Sequence, residues 1–143
     1  MKAVIGKASV IWTGNHKRGK GAITTSSAVL TRARYGSGLE TRRQATHPSE
    51  LIAAAHAASF SMTLADELAI GGYVPQRIDT TATVTTEYAA ARWTMSQIHL
   101  EIIAAVRKIE QSEFVDATLR AKVNCPVSRL MTANISMQAK LNR

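Results

Sequence analysis

Between residues 77 and 88 the chain reads RIDTTATVTTEY, in which Ile78, Thr80, Ala82, Val84, Thr86 and Tyr88 share one face. Arg77, Asp79, Thr81, Thr83, Thr85 and Glu87 share the other, and this period of two predicts a half-exposed strand. TMSQIHLEIIAAV (94–106) predicts another, with Ile98, Leu100, Ile102, Ala104 and Val106 on one side. Near the start, Val4, Ala8, Val10 and Trp12 alternate with Ile5, Lys7, Ser9 and Ile11, a first strand followed by the turn TGNHKRGKG. AITTSSAVL (22–30) reads as a second strand, and YGSGLETRRQAT (35–46) as a looser stretch with room for a short third. At the far end ANISMQAKLN places Ile135, Met137, Ala139 and Leu141 together as a closing strand.

The period changes in ELIAAAHAASFSMTLADELAI (50–70), which predicts one long helix that is apolar nearly all the way round. Pro48 suits its first turn, Glu50 lies where a carboxylate meets the positive end of the dipole, and Gly71 and Gly72 stop it. QSEFVDATLRAKV offers Ser112 as an N-cap and Phe114, Ala117, Thr118 and Ala121 at helical spacing, and a short helix is expected at CPVSRLM. This order of elements argues α+β with antiparallel sheets. A helix apolar on every face needs partners all around it, which sheets from one chain of this length hardly supply. Pairing of two such helices in a homodimer would solve the problem.

With 143 residues, 45% of them apolar, a single globular domain over 1–143 is expected. The one cysteine, Cys125, excludes an intrachain disulfide, and no Cys/His set has zinc spacing, so neither metal nor cofactor is expected. No uncharged run is long enough to span a membrane and the N-terminus lacks a signal-peptide layout, which points to a cytoplasmic protein without a membrane partner. Residues 1–50 hold nine of the 18 Lys and Arg against two acids, Glu40 and Glu50. Such an excess permits a nucleic-acid, phosphate or carboxylate partner, but no stacking motif or recognition helix accompanies it, and a solvated face explains it equally. A non-catalytic binding protein using that segment stays open as an alternative.

Candidate chemistry centres on the long helix. Ser59 sits at its middle, with His56 at i−3 on the same face, so a serine hydrolase dyad is geometrically conceivable. The surround HAASFSM lacks the G-x-S-x-G elbow, however, and a mid-helix nucleophile has no oxyanion donors nearby. The plainer reading returns the Ser59 hydroxyl to the Ala55 carbonyl and makes His56 a satisfied core histidine. Cys125, followed by Pro126 at a helix start, lies near N–H groups that favour thiolate, or else is a buried small hydrophobe.

HPSELIAAAHAASFSM together with NCPVSRL and the preceding KRGKG closely resembles the OsmC branch of the OsmC/Ohr family of organic hydroperoxide reductases, over essentially the whole chain. The resemblance implies an OsmC-like fold, an intertwined homodimer with sheets wrapped around paired central helices. It also implies reduction of organic hydroperoxides in oxidative and osmotic stress defence, with re-reduction by small or lipoyl-bearing dithiols. In that family the position of Ser59 is a cysteine, the peroxidatic nucleophile. The cysteine matching Cys125 resolves its sulfenic acid, and the residues matching Arg18 and Glu50 complete the site.

Ser59 therefore occupies the seat of a reactive sulfur. A thiolate attacks a peroxide oxygen and becomes a sulfenic acid, whereas a hydroxyl deprotonates far less readily and has no such state. The chain is either a Cys-to-Ser form of an active enzyme or a natural member that has lost or changed the activity, and the preserved surroundings favour the first. Nine residues separate Glu50 from Ser59, about 13 Å along a helix and on opposite faces, so Glu50 would serve that site only from a partner chain. Arg18 would arrive with it. Phe60, Met62 and Leu64 are candidates for a pocket holding an organic tail, or plain core.

Overall fold

The computed structural model describes residues 2–38 and 44–142. Strands β1 (Ala8–Thr13), β2 (Lys20–Thr25) and β3 (Ala33–Tyr35) precede helix α1 (Pro48–Ile70). Strands β4 (Pro75–Ala89) and β5 (Arg92–Val106) follow, then helices α2 (Gln111–Asn124) and α3 (Pro126–Leu130) and strand β6 (Asn134–Asn142). The residues fall into two compact units, Met1–Leu51 and Ile52–Arg143.

The first unit carries the antiparallel sheet β1-β2-β3 and the opening turn of α1. β1 starts at Ala8 rather than near Val4, because β2 ends at Thr25 and the last tie beyond it is the Ser26 N–H donated to the Lys7 carbonyl at 2.9 Å. β2 ends there because Thr25 accepts Ala28 N–H through its carbonyl, and its hydroxyl accepts Leu30 N–H, a turn that puts Ala28 at φ 62°. The predicted extension through Leu30 is thus a turn. The loose stretch after Tyr35 returns to the sheet through a bridge between Tyr35 and Thr46, while residues 39–43, with Glu40, Arg42 and Arg43, lie outside the described residues. The KRGKG glycines have a packing reason: a Cβ on Gly19 would meet the Trp12 ring and one on Gly21 the Tyr35 ring. Those two rings lie 5.4 Å apart.

The second unit is built on the sheet β4-β5-β6. Every even-numbered residue from Ile98 to Val106 is buried, and Phe60, Leu64 and Leu68 of α1 and Phe114, Ala117 and Ala121 of α2 join them in one core. β4 alternates as its sequence predicts, its outward residues exposed. One pairing departs from the antiparallel expectation: β6 runs parallel to β5. The chain leaves β5 at one end, and α2 and α3 carry it back across the sheet before β6 begins, a crossover that makes the two strands parallel.

Two further details differ from the sequence reading. The N-cap of α2 is Glu110, and Ser112 is already inside the helix. Ile109 and Phe114, flanking the first turn, are both buried in the core, a hydrophobic staple that fixes the start two residues before Ser112. The hairpin between β4 and β5 turns on Ala90 and Ala91 at φ 52° and 64°, a geometry normally given to Asn-Gly. Among the described residues no helix is long and apolar enough to cross a membrane.

The strained hairpin yields a stability prediction. Ala91→Gly removes a Cβ from the left-handed region, and even after the greater freedom of the unfolded chain it should stabilise the protein by about 0.5–1 kcal/mol. Urea denaturation checks this, and an unchanged or lower midpoint would contradict the turn geometry.

Candidate active site

α1 is rotated by its own apolar stripe. His56, Phe60, Leu64 and Leu68 recur at i, i+4, i+8 and i+12 and are buried. Ser59, one position before Phe60, is left half-buried at the edge of that stripe. Phe60 and Leu64 are plain core, whereas Met62 is 72% exposed. Back-bonds of the kind considered for Ser59 are made by its neighbours: the Ser61 hydroxyl donates to the Ala57 carbonyl at 2.8 Å and the Thr63 hydroxyl to the Ser59 carbonyl at 2.9 Å.

Ser59 instead faces Cys125. The Cys125 thiol donates to Ser59 Oγ at 3.4 Å across 66 residues of sequence. Cys125 is fully buried and unbonded to any other sulfur, in the joint between α2 and α3. Its N–H closes α2 on the Ala121 carbonyl at 2.8 Å, and its carbonyl accepts Arg129 N–H in α3 at 3.0 Å. Pro126 fits directly after it, since the first position of a helix needs no N–H. The neutral side chain makes no cap hydrogen bond to α3. Burial pushes the thiol pKa up, but hydrogen bonding from Ser59, from the Ser128 N–H and hydroxyl and from the Val127 N–H favours the thiolate and leaves the pKa below its ordinary value.

The joint is anchored by polar groups. Buried Ser128 shares a 2.7 Å hydrogen bond with His56 Nε2, a pair 72 residues apart that is as buried as the apolar core. His56 Nδ1 is buried without a partner. Burial disfavours the imidazolium and pushes the His56 pKa below 6.5. Just before Cys125, at the end of α2, the Asn124 amide donates to Glu67 Oε1 at 2.8 Å and Arg120 Nε to Glu67 Oε2 at 3.0 Å. The Asn124 bond, then the Arg120 guanidinium, hold the Glu67 carboxyl below its usual range despite its desolvation.

Arg18 and Glu50, both in the first unit, stand differently. Arg18 is exposed on the β1–β2 turn, its N–H held by Asn15 Oδ1 at 2.8 Å. Glu50 accepts His47 N–H at 3.2 Å while His47 Nδ1 accepts Ser49 N–H at 3.0 Å, a reciprocal capping box that starts α1. Among the described residues no ion pair joins Arg18 to Glu50. Within one chain the two are not paired, and the Glu50 carboxylate caps α1. No cluster of three or more His, Cys, Asp or Glu suited to a metal occurs among the described residues.

Comparison with known proteins gives this arrangement its context. The family model for OsmC-like proteins matches residues 40–140. Peroxiredoxin OsmC of Escherichia coli (strain K12) is 41% identical over 138 residues, covering 94% of this chain and 95% of that protein. The chain belongs to the OsmC family. Solved structures extend the fold: an OsmC-like protein from Mycoplasma pneumoniae matches with a TM-score of 0.81 at 8% identity, over 99% of this chain and 100% of that one. The organic hydroperoxide resistance protein OhrB of Bacillus subtilis matches at 0.67 and 18%, over 95% and 98%.

Within this OsmC-family fold, sequence reasoning missed Ser128 and the Glu67–Arg120–Asn124 cluster. A signal existed for Ser128, the third residue after Cys125 at a helix start, where a side chain can turn back toward the cap. None existed for its pairing with His56, which depends on how α3 docks.

The buried imidazole sets a pH window. Its folded pKa is depressed below 6.5, so below that value the unfolded state binds the proton more readily and stability falls as pH drops toward the folded value. Well above 6.5 both states are neutral and the group contributes no pH dependence. Unfolding free energies measured from pH 7.5 to 5 should decline, and His56→Gln should flatten that decline; an unaltered slope would show that His56 titrates alike in both states.

Proposed function

We propose that this chain is the scaffold of a thiol-dependent peroxidase that reduces organic hydroperoxides to alcohols in stress defence, with serine in the seat of the peroxidatic sulfur. The observation that carries this reading is the 3.4 Å approach of Ser59 Oγ to Cys125 Sγ inside an OsmC-family chain. A sulfur at position 59 would attack one peroxide oxygen, forming S–O as O–O breaks and an alkoxide departs. Cys125 would then displace hydroxide from the sulfenic sulfur, giving a disulfide and water, and a dithiol or lipoyl-type reductant would restore both thiols. An interior thiol drawn toward thiolate suits the second step, where its target is a neighbour rather than a substrate from solvent.

Arg18 would stabilise the first thiolate and the leaving alkoxide, and Glu50 would orient its guanidinium. Both would come from a partner chain, so each active site is composite and the single domain over 1–143 works as a homodimer. The outward side of α1 supports this: Ala54, Ala55, Ala58, Met62 and Ala69 are exposed, with Asp66 the one charge among them, a largely apolar face suited to a second helix. We place the protein in the cytoplasm, where its lone cysteine stays reduced. The hydrolase alternative loses its base, since His56 is engaged with Ser128 rather than Ser59.

The serine chain should consume cumene hydroperoxide at background rate with dithiothreitol as reductant, and Ser59→Cys should restore turnover. Adding Arg18→Ala to that variant should lower the rate by roughly 100-fold, the scale of one lost electrostatic donor. A Ser59→Cys protein that folds but leaves the peroxide intact would falsify the reading.

A further inference from the structure

Side chains of α1 reach the α2–α3 joint at three places, in antiparallel order. His56 meets Ser128 at 2.7 Å, Ser59 meets Cys125 at 3.4 Å, and Glu67 meets Asn124 and Arg120 at 2.8 and 3.0 Å. The thiol is thus bracketed: along α1 the outer contacts stand about 4.5 Å to one side of residue 59 and about 12 Å to the other. The backbone of the joint is not one continuous helix, since Cys125 is extended at φ −60° and ψ 120° between α2 and the five residues of α3. Side-chain contacts must hold what the backbone leaves free. Glu67 is the costly member, 7% exposed beside Leu68 on a helix whose other buried residues are mostly apolar. Well-packed apolar residues commonly match or better a buried ion pair in stability, so the carboxylate is there for position. Its oxygens are divided, Oε2 accepting from Arg120 and Oε1 from Asn124, the residue next to the thiol.

We propose that Glu67, acting through Asn124, is a positioning residue for the resolving step, its carboxylate fixing the end of α2 so that Cys125 meets a sulfur at position 59 in register. This deepens the proposed function and rests on its reading of Cys125 as the resolving thiol. In that step the Cys125 S–H bond breaks, the S–S bond forms and the sulfenic S–O bond breaks, and the thiol proton leaves with the hydroxide as water. The Cys125 sulfur is oxidised and the sulfenic sulfur reduced. A disulfide is about 2.05 Å long, so from the 3.4 Å approach seen with oxygen the pair closes by roughly 1.4 Å. Glu67 exchanges no proton or electron in this and touches no substrate. What it supplies is the effective concentration of one thiol at the other, which governs both the rate of closure and the potential of the disulfide.

Asn124→Ala removes the tie next to the thiol and leaves the Glu67–Arg120 pair in place. Alanine favours a helix more than asparagine does, so a weakened α2 cannot account for its effect. In the Ser59→Cys background equilibrated with reduced and oxidised glutathione, it should lower the effective concentration of the two thiols roughly tenfold, a rise of about 30 mV in the disulfide potential. After cumene hydroperoxide is added, sulfenic acid should form at an unchanged rate while its conversion to disulfide slows roughly tenfold or more, so that dimedone-trapped sulfenic acid accumulates. Glu67→Gln, which keeps the shape and removes the charge, should move both measurements the same way. An unmoved potential in Asn124→Ala overturns the proposal, as does an unchanged rate of disulfide formation, an equal slowing of both steps, or the failure of Ser59→Cys to form the disulfide in oxidised glutathione. If Ser59→Cys leaves the peroxide intact, the proposed function falls, and the glutathione equilibrium still decides the role of Glu67.

Discussion

A helix that buries one stripe has no freedom left in its rotation, and α1 is held in this way by His56, Phe60, Leu64 and Leu68. Burying the three apolar ones, Phe60, Leu64 and Leu68, is worth several kcal/mol in total, far more than a surface hydrogen bond contributes. Turning the helix by one residue would exchange Phe60 for Ser59 in the core and leave a hydroxyl without a partner. The position of residue 59 beside the α2–α3 joint is therefore a consequence of apolar packing. The chemistry proposed for that position borrows its geometry from the core.

The other side of the encounter is fixed by polar contacts. α3 is a five-residue helix, too short to be stable by itself. Its place is set by the Ala121 and Arg129 backbone bonds at Cys125 and by the His56–Ser128 bond. Glu67 adds a third tie through Arg120 and Asn124, so a carboxylate on α1 grips the last turns of α2 just ahead of the cysteine. Such buried contacts add little net stability, yet they are costly to break, because each lost partner leaves a desolvated group behind. They hold the cysteine in one position without demanding much of the fold.

Elements with a sustained period were legible in the sequence. β4 and β5 alternate over a dozen residues and α1 is framed by Pro48 and the Gly71-Gly72 stop, so their faces and ends follow from patterning. Where local signals misled, a longer-range contact had won: Ile109 meeting Phe114 displaced the Ser112 cap, and the return of the chain through α2 and α3 made β6 parallel. The Ala90-Ala91 turn carried no turn residue at all, because its strain is absorbed by the long ladder on either side. Within the candidate site, Ser59 and Cys125 were found through a family resemblance and a helix-start pattern. The His56–Ser128 bond joins residues 72 apart and leaves no local mark.

In the proposed reaction, one atom at position 59 separates this chain from a peroxidatic thiol. Oxygen and sulfur are close enough in size that replacing one by the other at position 59 leaves the rotation of α1, the α2–α3 joint and the capping box of Glu50 without a reason to change. What differs is electronic: the hydroxyl holds its proton near neutral pH and has no oxidised state that Cys125 could relieve. The Ser59 hydroxyl can still hydrogen-bond to the Cys125 sulfur and favour its thiolate. Serine thereby keeps the second thiol primed while removing the first, which isolates the resolving half of the proposed reaction in a folded protein.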